Sequence, residues 1–236
     1  MEYEGHTLRH ELKYYINYDV YHVLRKRLQR VIGADEHMTD EEGYVVSSLY
    51  FDDCHHSAQK DKIAGTRFRK KFRIRSYGYD SRLIRVECKE KYDEYISKTS
   101  AKIALEEYRW ILCGDYGWLL LREEPVLKEL FCYNRTKLLR PAVVVEYRRE
   151  AYVSSAGNVR ITFDKEIAAS TGTLDLFSSG YHTAQVLPEG IMVLEVKYDD
   201  YIPSYILSVL QTAMTNRCAI SKYVMCREKK RRMRCL

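Results

Sequence analysis

The chain is dominated by segments in which apolar and charged residues alternate. In RFRKKFRIRSY, residues 67–77, Arg69, Lys71, Arg73 and Arg75 fall on one face of an extended strand, while Phe68, Phe72 and Ile74 fall on the other. Successive side chains of a strand point to opposite faces, so the pattern predicts a strand with one charged and one buried side. The same period recurs in HELKYYI (10–16), which places Glu11 with Lys13, and in VVSSLYFDD (45–53), where Ser48, Tyr50 and Asp52 oppose Leu49 and Phe51. LIRVECKEK (83–91) sets Arg85, Glu87, Lys89 and Lys91 against Ile84, Val86 and Cys88. VRITFD (159–164) aligns Arg160, Thr162 and Asp164, and MVLEVKY (192–198) aligns Val193, Glu195 and Lys197. Helical spacing is sparser. It predicts a helix over 20–32 capped by Asp19, helical regions over 104–112 and 117–139, and a helix after Pro203 through 216.

A single strand of this kind is usually one with a solvated outer side. Here, however, the charged faces repeat basic pairs or basic and acidic pairs of the form RxR or ExK, which suggests one shared, charge-lined surface. If the sheet closes with that surface inward, the lining becomes a tunnel and the apolar faces pack on helices outside. Two like charges ~5 Å apart at an effective dielectric of ~20 repel by roughly 3 kcal/mol, so such a lining requires a multiply charged anion. A linear chain of phosphates supplies that charge and suits Arg forks and Lys points. The Glu residues among the cations, Glu11, Glu87 and Glu195, are poor phosphate ligands but suit a hard divalent cation of the Mg or Mn type.

Bulk properties narrow the field. The 236 residues, 46% of them hydrophobic, can fill a real core, and the net charge of +6 is modest for a nucleic-acid binder. Seven Cys without a CxxC pair argue against a disulfide framework or a zinc site, and for reduced thiols in a cytoplasmic setting. Neither a signal peptide nor an apolar run of membrane-spanning length is present, so a soluble protein is expected. With only 4 Pro and 11 Gly and no repeat, one domain over 1–226 followed by a basic tail, 227–236, is the simplest reading. The tail REKKRRMR is expected to be solvated and mobile, with attraction to polyphosphate or to an anionic membrane surface as the minor alternative.

The motifs taken together resemble the polyphosphate polymerase domain of the vacuolar transporter chaperone family, within the triphosphate tunnel metalloenzymes. The resemblance covers about residues 10–223. It rests on ELKYY, SLYFDD, the long basic segment ending in RIRSY, VECKEK, RPAVVVEYRREAY, VRITFD, VLEVK and ISKY in that order. It implies an α+β fold, a closed antiparallel β-barrel tunnel with helices packed outside. By resemblance, Arg73, Arg75, Lys89, Arg149 and Arg160 clamp phosphates at the reacting centre. Lys13, Lys62, Arg69, Lys71, Lys91, Lys98, Lys197, Ser221 and Lys222 bind phosphate along the tunnel, with Lys98 and Lys102 equally placed for one position. Glu195 holds the metal, Mn or Mg, with Glu11 and Glu87 beside it.

The resemblance further implies that the γ-phosphoryl group of ATP is transferred to a growing inorganic polyphosphate chain, releasing ADP. A membrane-protein partner reached through the basic tail stays open. A triphosphatase in the same fold would need a carboxylate to orient water, with Glu11, Glu87 or Glu146 as candidates. Arg9, Glu11 and Lys13 supply only the second half of that group's ExExK signature. A non-catalytic polyanion or RNA binder is the third reading. Base stacking needs aromatics on the binding face, and Phe68 and Phe72 lie opposite the Arg residues, so no specific nucleic acid is expected. His55 and His56 beside Asp52 and Asp53 read as a polar loop before a metal site.

Overall fold

A computed structural model describes residues 2–234, apart from 4–5, 8, 39, 94, 179–181 and 215–216. The alternating segments become β1 (His10–Asn17), β2 (Tyr44–Asp52), β3 (Phe68–Tyr77), β4 (Asp80–Tyr92), β5 (Tyr95–Ile103), β6 (Arg140–Ser154), β7 (Val159–Ser170) and β8 (Ile191–Tyr198). They form one antiparallel sheet in the order β1, β8, β7, β6, β2, β3, β4, β5, to which the short strands Gly33–Ala34 and Thr183–Gln185 add at β6 and β7. The register sets Lys13 opposite Glu195, Glu11 opposite Lys197, Arg73 opposite Glu87, Lys71 opposite Lys89, and Arg149 opposite Asp164.

The sheet curls into the expected tunnel, but its edges do not share a ladder. Among the described residues, the two edges meet at one bridge, between Arg9 just before β1 and Ile96 of β5, with the His10 and Tyr95 rings 5.5 Å apart. The reason lies further along the chain. The free edge of β1 is taken by the segment at Arg217 and Cys218, which bridges Tyr14 and donates from the Cys218 amide to the Lys13 carbonyl at 2.9 Å.

The helices are α1 (Tyr18–Leu28), α2 (Ser57–Ile63), α3 (Leu105–Leu112), α4 (Pro125–Lys137), α5 (Ser204–Leu210) and α6 (Lys222–Arg234). α1 starts earlier than predicted, because the Asn17 side chain, and not Asp19, accepts from the Val20 amide at 2.9 Å. The helical region over 117–139 is divided: Gly117–Leu121 is a short 3-10 turn, and Pro125 opens α4 at its first position, where a missing N–H costs nothing. α5 ends at Leu210, short of the predicted 216.

Burial follows the period-2 sorting. The outward faces of β3 and β4, with Phe72, Ile74 and Val86, are covered by Tyr108 and Ile111 of α3 and by Leu127 and Leu130 of α4. On the other flank, Ile161, Phe163 and Leu194 are covered by Leu24 and Leu28 of α1 and by Ile206 and Leu210 of α5. α6 is placed differently. Its Tyr223 and Cys226 pack on Val46, Val143, Val145, Ala169 and Val193, residues of the tunnel-facing side. The run from 227, expected to be a mobile tail, is therefore the body of a helix docked on the barrel, with Lys230 only 8% exposed. The sequence signal for this is the spacing of Tyr223, Cys226 and Lys230, which puts all three on one helical face.

Candidate functional site

The charged faces of the strands enclose a cavity of about 450 Å³. Its wall carries twelve Lys and Arg residues against two carboxylates, Glu11 and Glu195. β1 contributes Lys13, β3 contributes Arg69, Lys71, Arg73 and Arg75, and β4 contributes Lys89 and Lys91. Arg149 comes from β6, Lys197 from β8, Lys62 from α2, and Ser221 and Lys222 from the start of α6. Arg217, Tyr50 and Tyr147 also line the cavity; none was singled out from the sequence as a site residue.

Part of this charge is balanced from behind. Glu87, fully buried, binds Arg73 at 2.6 Å and Lys98 at 3.1 Å, with Arg75 at 3.9 Å. Asp164, also fully buried, holds Arg149 at 2.7 Å and Lys222 at 2.5 Å. Burial works to raise the Glu87 carboxyl, but Arg73, Arg75 and Lys98 outweigh it and hold the group well below the usual carboxylate range. The guanidinium forks are held further by hydroxyl groups: Arg73 donates to Tyr50 at 2.9 Å, and Arg75 to Ser48 at 3.2 Å and Tyr147 at 3.1 Å.

Glu11 and Glu195 converge on Lys13, whose Nζ lies 3.0 Å from Glu11 Oε1 and 3.5 Å from Glu195 Oε2. Glu11 also meets Lys89 at 2.5 Å, and Glu195 meets Lys197 at 2.6 Å. Burial and the neighbouring Glu195 would raise Glu11, yet Lys13, Lys89 and Lys197 bring it down to about 2. Glu195 is likewise held well below its ordinary value by Lys197, Lys13 and Lys222 against the effect of burial.

The remaining cations are less well compensated. Burial, then Lys89, Lys13, Lys62 and Arg69, push the Lys71 ammonium well down; it lies 5.0 Å from the centre of the Tyr223 ring and 3.5 Å from Ser221 Oγ. Lys62 is lowered to about 8 by burial and then by Arg69, Lys13 and Lys91. Lys89 is lowered to about 7 by burial, with Lys13 and Lys197 adding to it against Glu11 and Glu195.

Three residues expected in the site are placed elsewhere. Arg160, on β7, is turned to Asp35 at 3.0 Å and to the Tyr44 hydroxyl at 3.1 Å, away from the cavity wall. Lys98 does not line the cavity and is tied to Glu87, as is Arg73. With its partners taken, Glu87 does not fit a metal site. Glu11 and Glu195 fit better, because unlike Glu87 they line the cavity, where they converge on one point of the wall as ionised oxygen donors. A second cluster, Cys88 with Glu90 and Glu129, lies outside the cavity, and Lys70 already bridges its carboxylates at 2.8 and 2.6 Å. Asp52 and Asp53 accept from backbone amides at the start of α2, so the pair beside His55 and His56 serves the turn.

A curled antiparallel sheet with inward cations, anchoring carboxylates and helices on its outer flanks defines a triphosphate tunnel protein. The chain belongs to the VTC domain family, whose family model matches residues 8–230. That membership implies a divalent metal, for which Glu11 and Glu195 are the fitting ligands. Among solved structures, the fold is similar to a Bacillus halodurans protein provisionally named an adenylate cyclase, at 11% identity and TM-score 0.52, covering 92% of this chain and 95% of that one. A Vibrio parahaemolyticus protein of the same provisional name is similar at 11% identity and TM-score 0.51, covering 93% and 98%. None of the curated proteins matches the sequence significantly.

Proposed function

We propose that this protein is a polyphosphate polymerase, which transfers the γ-phosphoryl group of ATP to the end of an inorganic polyphosphate chain held in the tunnel. An oxygen of the terminal phosphate attacks the γ-phosphorus. A new P–O bond forms, the bond to the β–γ bridging oxygen breaks, and ADP leaves. Phosphoryl transfer asks little covalent chemistry of the protein; it needs alignment and neutralisation of the equatorial oxygens. Arg73, Arg75 and Arg149 suit that role, because their guanidinium planes are fixed from behind by Glu87, Tyr50, Tyr147 and Asp164. Lys13, Lys89, Lys197 and Lys222 complete the charge around the reacting phosphates, and Lys62, Arg69, Lys71 and Lys91 receive the chain. A divalent ion on Glu11 and Glu195 would neutralise phosphate oxygens when bound.

The observation that carries this reading over hydrolysis is the state of the carboxylates. A carboxylate that orients water needs an oxygen free to face it, whereas Glu11 is engaged by Lys13 and Lys89 and Glu87 by Arg73 and Lys98. Glu146 lies outside the cavity, accepting from Ser47 and Tyr79 at 3.0 Å each. The test is purified protein with ATP and Mn, scored for ADP and long polyphosphate against orthophosphate. Polymer with stoichiometric ADP is the expected outcome, and orthophosphate alone would sink the polymerase reading in favour of a triphosphatase. Glu195→Gln should lose at least about 100-fold in turnover while tripolyphosphate binding persists, an effect of the size seen when one transition-state contact is removed. Chelation of the metal should act in the same direction.

A further inference from the structure

We infer that a second cavity, beside the tunnel mouth, holds the nucleoside of a nucleoside triphosphate whose phosphates enter the tunnel; the inference rests on the reading of the tunnel as an ATP-using site. The cavity measures about 240 Å³ and lies between α2, the start of β3 and α4. Arg69 and Lys91 belong to its wall and to the tunnel wall alike. The reason is where a ladder stops. β2 pairs with β3 only as far as Tyr50 and Arg73, so from Phe68 to Phe72 that edge of β3 lies against α2 instead of a strand. α2 stands at this junction, with Lys62 lining the tunnel and its neighbour Asp61 lining the second cavity.

The two cavities differ in chemistry. The tunnel wall sets twelve cations against two carboxylates, whereas the second cavity sets four against four over a floor of buried Phe51, Phe72 and Leu139. A charge-balanced, aromatic wall is a poor place for phosphate and a good one for a base, whose flat faces stack on rings. Phe68 supplies such a ring at the lip: it is 63% exposed and edge-on to Tyr92 at 5.6 Å, while deeper in Tyr133 packs on Phe72 at 5.1 Å. Asp61, a half-buried carboxylate, is an acceptor for a ribose hydroxyl or a base amine. Phe68 and Phe72 lie opposite the Arg residues of β3, which does not suit bases stacked along the tunnel. It does suit one nucleotide that straddles the strand, with phosphates at Arg69 and Lys91 and the base at Phe68. The mouth that receives a phosphate chain is thereby fitted for one that carries a nucleoside at its outer end. Such a nucleotide is either the ATP donor or an ATP on which a chain starts. In the second case its terminal phosphate oxygen attacks the γ-phosphorus of another ATP, giving adenosine tetraphosphate and ADP.

Titration calorimetry of the full chain with ATP and with tripolyphosphate, metal withheld so that neither turns over, isolates the nucleoside, since both ligands carry the same number of phosphates. Phe68→Ala should weaken ATP about tenfold and leave tripolyphosphate unchanged, and Phe68→Trp, which keeps a stacking face, should bind ATP as the parent does. Unchanged tripolyphosphate binding also shows that the variant is folded. Turnover then tells the two sources apart. For a donor site, Phe68→Ala raises KM for ATP about tenfold with preformed polyphosphate supplied; for a starting site, that KM is unchanged and the lag before polymer appears lengthens when preformed polyphosphate is left out. Loss of ATP and tripolyphosphate affinity together, or of neither, overturns the proposal. If the parent binds tripolyphosphate yet yields only orthophosphate from ATP, the polymerase reading fails while the titrations still decide the cavity.

Discussion

The two halves of the tunnel wall are built on opposite electrostatic terms. Around Arg73, Arg75, Arg149 and Lys222, each cation is matched from behind by Glu87 or Asp164, so this half holds its geometry without a ligand. Around Lys62 and Lys71, the largest charged neighbours are other cations, and burial with repulsion drives both lysines toward their neutral forms. Under the proposed function, the first half is preorganised for chemistry and the second is completed by its substrate, so the difference would separate residues that fix a transition state from residues that recruit a chain.

The largest way to break this contrast is Glu87→Ala. Removing the shared carboxylate leaves Arg73 and Arg75 buried without their countercharge, so chemical unfolding should report a loss of about 3–5 kcal/mol. A loss below about 1 kcal/mol would mean that the anchored half is not anchored. The converse substitution is Lys71→Met, which removes a buried ammonium among cations. It should raise stability by about 1 kcal/mol and weaken tripolyphosphate binding about tenfold. Destabilisation on the scale of Glu87→Ala would erase the distinction between the halves.

The smallest effect is a pH dependence. Lys62 is lowered from 10.5 to about 8, so between these values it is largely neutral in the free protein. A bound polyanion favours the charged form and restores the proton. The complex then holds more protons than the free protein, and affinity for tripolyphosphate should fall a few-fold as pH rises from about 8 toward 10.5. Calorimetry in buffers of different ionisation enthalpy should show proton uptake in that window, reduced in Lys62→Gln.

Much of this arrangement is legible in the sequence, because the period of a strand assigns each side chain to a face. Arg69, Lys71, Arg73 and Arg75 line the cavity together as that period requires. What alternation cannot report is pairing between distant strands and loops. Glu87 looks like a metal ligand until its neighbours Arg73 and Lys98 are seen to consume it. Arg160 carries the expected face but is captured by Asp35, a residue of the connection after α1. Asp164 was on the charged face all along, and only the register opposite Arg149 gives it a role. α6 was misread because its basic residues outnumber the apolar ones, although Tyr223 and Cys226 sit at helical spacing and decide where it docks.

The register of β1 has a consequence for synthesis of the chain on the ribosome. β1 emerges before the other seven long strands, yet its ladder partner β8 is the last of them, and α6 follows that. The convergence of Glu11 and Glu195 on Lys13 cannot form until β8 has been made, and such non-local pairing is slow. An interrupted translation product would carry many of the basic strands but not the carboxylate pair, making it a sticky polycation without a finished centre.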